Sequence, residues 1–301
     1  MFAILAPLGK NHDVEKLINL WAKEFYFWID FTKDLNKRDN EQAQITIHQA
    51  NEFLSLREKY PNIRFFIALN EAPITWNDEK IYKKLSELLK LVSPDAFIVR
   101  DLAIITALKN IKPDVKLHIS SLAQVWNENA LEFYINFLWD SFERFIFPRD
   151  ISGIEAVQII KKYPQLEFEI FALNEWCWNV DGLCSSLHWT WKKEWVPFIC
   201  HREYSYPWNE KLKKIIYNRT SCKVCNFWKF KDIENIVSLK IVGRWAPFEQ
   251  IERNVKYLNS LLKFIELSDD YEEYQWFCQA WLQQVNKASW CSMCELNLNL
   301  K

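Results

Sequence analysis

Residues 166–200 read LEFEIFALNEWCWNVDGLCSSLHWTWKKEWVPFIC, and the rest of the chain is organised around this stretch. Its first part, 166–173, is a short run of mostly apolar residues that predicts a β-strand. The chain then turns polar at Asn174 and Glu175 and supplies three cysteines, Cys177, Cys184 and Cys200. The stretch therefore predicts a strand whose carboxyl end leads directly into a group of thiols.

The other cysteines extend this group. All 8 cysteines of the chain follow residue 176, and the remaining ones are Cys222, Cys225, Cys278, Cys291 and Cys294. Two of the pairs have C-x-x-C spacing, which is a common way to place two thiolates on one metal. Soft sulfur donors that converge bind zinc or iron–sulfur clusters. We favour a metal site over the alternatives, which are buried structural thiols and disulfides.

Outward from this stretch, short strand-like runs alternate with longer amphipathic segments. The predicted strands are 2–6, 25–29, 64–69, 96–99, 116–119, 144–147, 166–173 and 238–242. The predicted helices are 13–23, 47–60, 80–92, 102–111, 127–138, 152–162 and 247–267. Eight strands, seven of them followed by a helix and strand seven by the cysteine-rich segment, predict a (β/α)8 barrel of the TIM type, either regular or distorted. A doubly wound open sheet is the alternative.

The predicted elements also suggest a division of the chain. Residues 1–267 form the barrel, and the cysteine-rich metal-binding segment at about 174–230 is inserted between strands seven and eight. Residues 268–301 form a cysteine-containing tail without a further strand, which we expect to pack on the metal region.

In (β/α)8 barrels the chemistry lies at the carboxyl ends of the strands. The polar residues predicted at those ends are Asp30, Asn70, Asp101, Ser120, Arg149, Asn174, Glu175 and Arg244. We expect about half of them to be helix caps or surface residues. Lys240 alternates with Leu239 and Ile241, so its side chain is predicted to point into the barrel. It would there bind an anion or, alternatively, form a buried ion pair with Asp101 or Glu175.

Several functional classes find no support in the sequence. The chain has only 4 glycines and none of the common nucleotide-binding or serine-hydrolase motifs, so a nucleotide held by backbone amides is not expected. The formal net charge is −1, which gives no overall attraction to nucleic acid. No apolar run approaches the roughly 20 residues that cross a membrane, and no signal peptide is apparent. We therefore expect a cytoplasmic protein.

Short motifs in this order resemble a known family. Glu169, Phe171, Cys177 and Cys184 fit E-x-F followed by two spaced cysteines, which resembles the signature of peptidase family U32, the collagenase-like peptidases. Further similar segments are APLGKNHDVEKL at 6–17, FIALN at 66–70, AFIVRDL at 96–102, FPRD at 147–150 and SLKIVGR at 238–244. The resemblance covers most of the chain.

This resemblance implies an iron–sulfur protein. Well-understood relatives carry out oxygen-independent hydroxylation of RNA bases or ubiquinone precursors, some with prephenate as the oxygen donor. The implied [4Fe-4S] cluster would lie on Cys177, Cys184, Cys200 and one of Cys222 or Cys225. The chain departs from the family in having a C-x-x-C where many members have one cysteine. It also has Trp176 and Trp178 where the family has small residues.

Four cysteines remain after this cluster is assigned. They are Cys278, Cys291, Cys294 and the other of Cys222 and Cys225, which is the complement for a second [4Fe-4S] cluster or a structural zinc.

We expect a redox enzyme in which Arg149, Lys240, Arg244 and Glu175 act on a substrate beside the cluster. That substrate is an RNA or a small anionic or aromatic molecule, and a protein partner from the same family is possible. The alternatives are a metal-dependent peptidase and a non-catalytic iron–sulfur or zinc interaction module.

Overall fold

Eight parallel strands close into a barrel in the computed structural model. They are β1 (Phe2–Pro7), β2 (Ala22–Ile29), β4 (Arg64–Leu69), β5 (Ala96–Val99), β6 (Leu117–Ile119), β7 (Phe142–Ile146), β8 (Glu167–Leu173) and β11 (Val237–Ile241). Neighbouring strands pair in chain order, and β11 pairs with β1 through Val237↔Phe2 and Lys240↔Leu5, which closes the barrel. The predicted (β/α)8 barrel is confirmed. The open-sheet alternative is wrong, because the pairing of β1 with β11 closes the sheet on itself.

The structure describes residues 2–32, 44–70, 78–149, 151–173, 204–206, 209–213, 224–244 and 246–286. Three short strands lie outside the barrel. Strand β3 (Gln44–Ile45) pairs with the end of β2, and β9 (Tyr204–Tyr206) pairs antiparallel with β10 (Asn209–Lys213). Sequence patterns did not indicate these strands, which are only two to five residues long.

The helices are α1 (Val14–Asn19), α2 (Ile47–Lys59), α3 (Asp78–Leu91), α4 (Leu102–Ile111), α5 (Glu128–Leu138), α6 (Gly153–Lys162), α7 (Phe248–Leu267) and α8 (Tyr271–Asn286). Their starts follow local chemistry, because the side chains of Asp13, Thr46, Asp101, Asn127 and Ser152 accept hydrogen bonds from backbone N–H groups of the first turn. Helix α1 is shorter than predicted, since the chain turns at Trp21 with φ 75° and β2 already begins at Ala22.

The barrel interior has an apolar middle and a charged lower layer. Side chains that alternate along the strands fill the middle: Leu5, Tyr26, Trp28, Phe66, Ala68, Ala96, Ile98, Ile146 and Phe171. At the amino ends of the strands, ion-paired groups close the barrel: Glu24, Arg64, Arg144 and Glu167. The larger apolar core lies between the strands and the surrounding helices.

A 3₁₀ helix, Val224–Phe230, precedes β11 and packs on the outside of the barrel. Asn226 and Lys229 approach Gly153 at the start of α6, and Trp228 packs on Tyr274 of α8 with ring centroids 5.3 Å apart. The Tyr274 hydroxyl also donates to the Val224 carbonyl at 2.6 Å. The 3₁₀ helix and α8 therefore cover the side of the barrel between α6 and α7.

Helix α8 runs antiparallel to α7. Phe264 stacks on Phe277, the Tyr257 hydroxyl donates to the Cys278 carbonyl at 3.5 Å, and Ser268 bonds to Glu273 at the connection. Since α7 begins near the carboxyl ends of the strands, α8 returns the chain toward that same face over about 24 Å. None of the helices in the described part of the chain has the length and hydropathy that a membrane crossing requires.

Candidate functional site

Three cations lie over aromatic rings at the carboxyl ends of the strands, and we call this group the cation mouth: Arg149, Lys240 and Arg244. The Arg149 guanidinium carbon lies 4.0 Å from the centroid of the Phe171 ring. The Arg244 guanidinium carbon lies 3.1 Å from the Trp28 ring centroid, and Lys240 Nζ lies 4.3 Å from that of Tyr26. Such cation–π contacts stabilise positive charge where water is scarce.

The positions of these cations follow from the local chain. Lys240 lies on β11 and is only 7% exposed, so it points into the barrel as predicted. Gly243 has φ 111°, a conformation that favours glycine, and the turn there brings Arg244 back over the barrel interior at 9% exposure. Arg149 follows β7 by three residues and is half-buried.

Lys240 is paired with a carboxylate that the sequence did not identify as a site residue. Its ammonium donates to Oε1 of Glu169, which is fully buried on β8. The predicted pairing with Asp101 is wrong, because the Asp101 carboxylate instead caps α4 by accepting from the Ala103 and Ile104 amides. Glu175, the other predicted partner, lies outside the described residues.

The charge of Lys240 depends on a balance between burial, the neighbouring arginines and one carboxylate. Burial lowers the pKa of the Lys240 ammonium, and the nearby Arg244 and Arg149 lower it further, whereas Glu169 raises it. The net direction is downward. Glu169 is therefore the group that opposes the loss of the Lys240 proton.

Beneath Glu169 lies the charged layer at the amino ends of the strands. Oε2 of Glu169 is 3.7 Å from Nη1 of Arg144, which is itself fully buried. Arg144 donates through Nη1 and Nη2 to the two Glu24 carboxylate oxygens, at 2.9 and 2.7 Å. Burial raises the pKa of the Glu24 carboxyl, but Arg144 and Arg64 outweigh this and lower it to about 2. The ion pairs thus extend from the mouth along the barrel interior.

His118, Glu143 and Glu167 form a cluster that could in principle hold a metal, since their ligand atoms lie within 4.8 Å of one another. Arg64 donates to Glu143 at 3.1 Å and to Glu167 at 2.8 Å, and Arg144 also pairs with Glu167, so both carboxylates already have guanidinium partners. Burial, with a further contribution from Arg144, lowers the pKa of His118 well below its ordinary value. The cluster is therefore explained as an ion-pair network with a neutral histidine.

The remaining residues predicted at strand ends have local roles, are half-buried or lie outside the described residues. The side chains of Asp30, Asp101 and Ser120 each accept a hydrogen bond from a backbone N–H one to three residues ahead, so they serve local turns. Asn70 is half-buried directly after β4. Asn174 follows β8 outside the described residues.

Of the predicted metal ligands, Cys225 and Cys278 lie within the described residues, and both are buried. Cys225 belongs to the 3₁₀ helix and Cys278 to α8, and these elements are joined by the hydrogen bond from Tyr274 to Val224. The other ligands predicted from sequence lie outside the described residues: Cys177, Cys184, Cys200, Cys222, Cys291 and Cys294.

The donor chemistry of the predicted ligands is that of a thiolate-bound metal centre, and its location stays a prediction. Strand β8 ends at Leu173, and Cys177 follows four residues later, within a reach of about 14 Å. Helix α8 runs toward the same face, and Cys291 follows five residues after its end at Asn286. Thiolates are the soft donors that iron–sulfur clusters and zinc require.

The fold makes the chain a (β/α)8-barrel protein. The sequence profile of peptidase family U32 matches residues 14–295, so the chain belongs to peptidase family U32.

Curated relatives are the tRNA hydroxylation proteins P of several bacteria. That of Helicobacter pylori strain J99 is 24% identical over 60% of this chain and 41% of its own length. That of Escherichia coli K12 is 26% identical over 50% of this chain and 30% of its own length. The matched part of the chain thus spans less than half the length of these relatives.

The solved structures that align with this chain do so with low TM-scores. Dihydrodipicolinate synthase from Bacteroides thetaiotaomicron aligns with a TM-score of 0.48 at 8% identity, over 94% of this chain and 80% of that chain. The aldo-keto reductase AKR11C1 from Bacillus halodurans aligns with a TM-score of 0.42 at 8% identity, over 91% and 90%.

Proposed function

We propose that this chain is an iron–sulfur protein that takes part in the oxygen-independent hydroxylation of a base in tRNA. The observation that carries the proposal is the cation mouth, which lies at the end of the barrel where the cysteine-rich segment begins. Membership of peptidase family U32 and the similarity to tRNA hydroxylation proteins P support it.

The cation mouth is suited to hold an anionic group of the oxygen donor or of the RNA. Guanidinium groups bind carboxylates and phosphates in a bidentate manner, and Arg149 and Arg244 are held in place by the rings beneath them. An arginine stacked on an aromatic ring also presents its second face to a nucleobase, which is a common contact in RNA recognition. A small donor such as prephenate and an RNA base could therefore be held side by side.

In this proposal the cluster lies on Cys177, Cys184, Cys200 and one of Cys222 or Cys225. When bound, a [4Fe-4S] cluster supplies electron-transfer chemistry next to the substrate. The cysteines not used there, with Cys278, Cys291 and Cys294 among them, hold a second cluster or a zinc. Glu175, which follows β8 by two residues, is the proposed additional acidic residue of the site.

A metal-independent peptidase finds no support in the described part of the chain, and the metal-dependent peptidase stays the alternative proposal. A peptidase without a metal needs a nucleophile paired with a base. His12 contacts backbone groups of Pro7, Gly9 and Ala246, His48 pairs with Glu52, and His118 pairs with Glu143. None of these described histidines is paired with a serine or cysteine side chain.

The test is to purify the full chain without oxygen and to measure its visible absorption, iron, sulfide and zinc. In parallel, tRNA nucleosides from cells that lack the protein are analysed by mass spectrometry, with and without complementation by the wild type. We expect about four or more irons per chain and the return of a hydroxylated nucleoside. Zinc in place of iron, together with unchanged tRNA, would reject the proposal.

A protein partner from the same family is also part of the proposal. Complementation is therefore carried out in the natural host, where such a partner is present.

A further inference from the structure

We propose that Glu169 is a positioning residue that holds Lys240 at the cation mouth through their ion pair, so that the anion site keeps the positive charge of Lys240 to higher pH than it would without this carboxylate. This inference rests on the proposed function, because it concerns the same anion site. It assigns a role to a carboxylate that lies below the mouth and does not itself bind the anion.

The geometry places Glu169 between two cations. Oε1 accepts from Lys240 Nζ above, and Oε2 lies 3.7 Å from Arg144 Nη1 below. Arg144 in turn is held by both oxygens of Glu24. Because Glu169 and Arg144 are fully buried, this arrangement fixes the carboxylate with little freedom to move.

The groups that face Lys240 come from several elements of the barrel. They are Tyr26 of β2, Glu169 and Phe171 of β8, Arg149 after β7 and Arg244 after β11, whereas the neighbouring strand β1 places the apolar Leu5 beside it. Arg144 of β7 lies behind Glu169. The Tyr26 hydroxyl already donates to the Ile241 carbonyl at 2.9 Å. Among the described residues, Glu169 is thus the carboxylate that offsets a local excess of positive charge.

Without this carboxylate, Lys240 would remain buried beside arginines that cannot lose their protons. Burial and the neighbouring cations both lower the pKa of the Lys240 ammonium, and the opposing effect of Glu169 would be gone. An ammonium with a lowered pKa is charged below that pKa and neutral above it. Removal of Glu169 therefore moves the loss of this positive charge to lower pH.

The experiment measures binding of sulfate to the anaerobically purified full chain by calorimetry between pH 6 and 9. Sulfate keeps the same charge over this range, so changes in affinity report on the protein. For Glu169→Gln we expect affinity equal to or above that of the wild type at pH 6, because a nearby negative charge is gone. By pH 9 we expect its affinity to fall about tenfold or more further than that of the wild type, from the loss of one nearby positive charge.

Three variants control this result. Lys240→Met should bind sulfate weakly at every pH, and Glu169→Gln combined with Lys240→Arg should restore pH-independent binding, because arginine stays protonated. Glu143→Gln removes another barrel carboxylate that pairs with Arg64 and His118, away from Lys240, and should behave as the wild type. A purely structural role of Glu169 would instead weaken binding equally at all pH values.

The outcomes separate the two proposals. If the wild type and Lys240→Met bind sulfate equally poorly, the anion site of the proposed function is rejected. If the wild type binds well but Glu169→Gln is weaker by the same factor at every pH, the role of Glu169 is overturned. Should Glu169→Gln fail to fold, Glu169→Asp is used, for which a weaker but still pH-dependent loss is expected and a pH-independent affinity would overturn the inference.

Discussion

The guanidinium carbon of Arg244 lies 3.1 Å from the centroid of the Trp28 ring. These residues come from opposite parts of the chain, Trp28 from β2 and Arg244 from the turn after β11, and barrel closure brings them together. The ring supports a charged side chain that would otherwise have to be solvated. The pair therefore links the closure of the fold to the positive charge at its mouth.

Trp28→Leu should weaken sulfate binding several-fold, because Arg244 loses the ring that holds it; a cation–π contact contributes about 0.5–2 kcal/mol. Calorimetry at pH 7 measures the effect. Trp21→Leu is the matched control, since Trp21 is 58% exposed and lies before β2 at the opposite end of that strand. Equal loss of affinity in both variants would argue against a role for the Trp28 ring.

Arg149→Ala and Arg244→Ala should each lower sulfate affinity about tenfold or more and leave the iron content of the protein unchanged, because these side chains bind the anion and not the metal. Iron quantitation and calorimetry on the same samples give both values. Arg57→Ala is the control, since Arg57 pairs with Asp95 on the surface. Unchanged affinity in both mouth variants would remove the anion site from the proposal.

The sequence alone predicts residues of the cation mouth but does not predict the layer of ion pairs at the amino ends of the strands. Lys240 was correctly placed inside the barrel because it alternates with the apolar Leu239 and Ile241. Glu24, Arg64 and Arg144 also occupy alternate positions on their strands, but alternation alone equally predicts a solvent-facing side. Only closure of the barrel makes the inner side buried, so their pairing could not be read from any one strand.

The C-terminal tail is a second case in which the sequence predicts an element's location but not its packing partners. Residues 268–301 were predicted as a tail folded back on the metal region, and α8 within it does pack on the 3₁₀ helix that contains Cys225. Its antiparallel pairing with α7 depends on contacts such as Phe264 with Phe277, which no local pattern specifies. The domain division itself stays a prediction.

Glu24 should make the protein sensitive to acid. Its folded-state pKa of about 2 lies below the ordinary value of 4.5, so the ionised carboxylate stabilises the fold above pH 4.5 and this stabilisation is lost as pH falls toward 2. The full loss amounts to about 3 kcal/mol, of which about 2 kcal/mol falls between pH 7 and pH 3. Urea unfolding over that range measures this part.

In the same titration, Glu24→Gln should be less stable than the wild type at pH 7 and should lose less further stability in acid. Glu52→Gln, at a surface pair with His48, should follow the wild-type curve. An acid dependence that is the same in the wild type and Glu24→Gln would show that Glu24 does not govern it.

The metal prediction concerns cysteines on both sides of the barrel's last strand. Cys177→Ala should abolish the first [4Fe-4S] cluster and lower thermal stability, because ligand binding by this segment is also folding energy. Cys291→Ala should remove only the second metal centre, since Cys291 belongs to the tail that α8 returns toward the mouth. Iron, sulfide and zinc are measured for each variant beside the wild type.

About four irons per chain that are unaffected by Cys291→Ala would eliminate a second cluster. Zinc that is lost in Cys291→Ala while iron remains would instead identify the tail site as structural zinc. Absence of iron from the anaerobically purified wild type, with zinc in its place, would overturn the redox function, because zinc has no redox chemistry of its own.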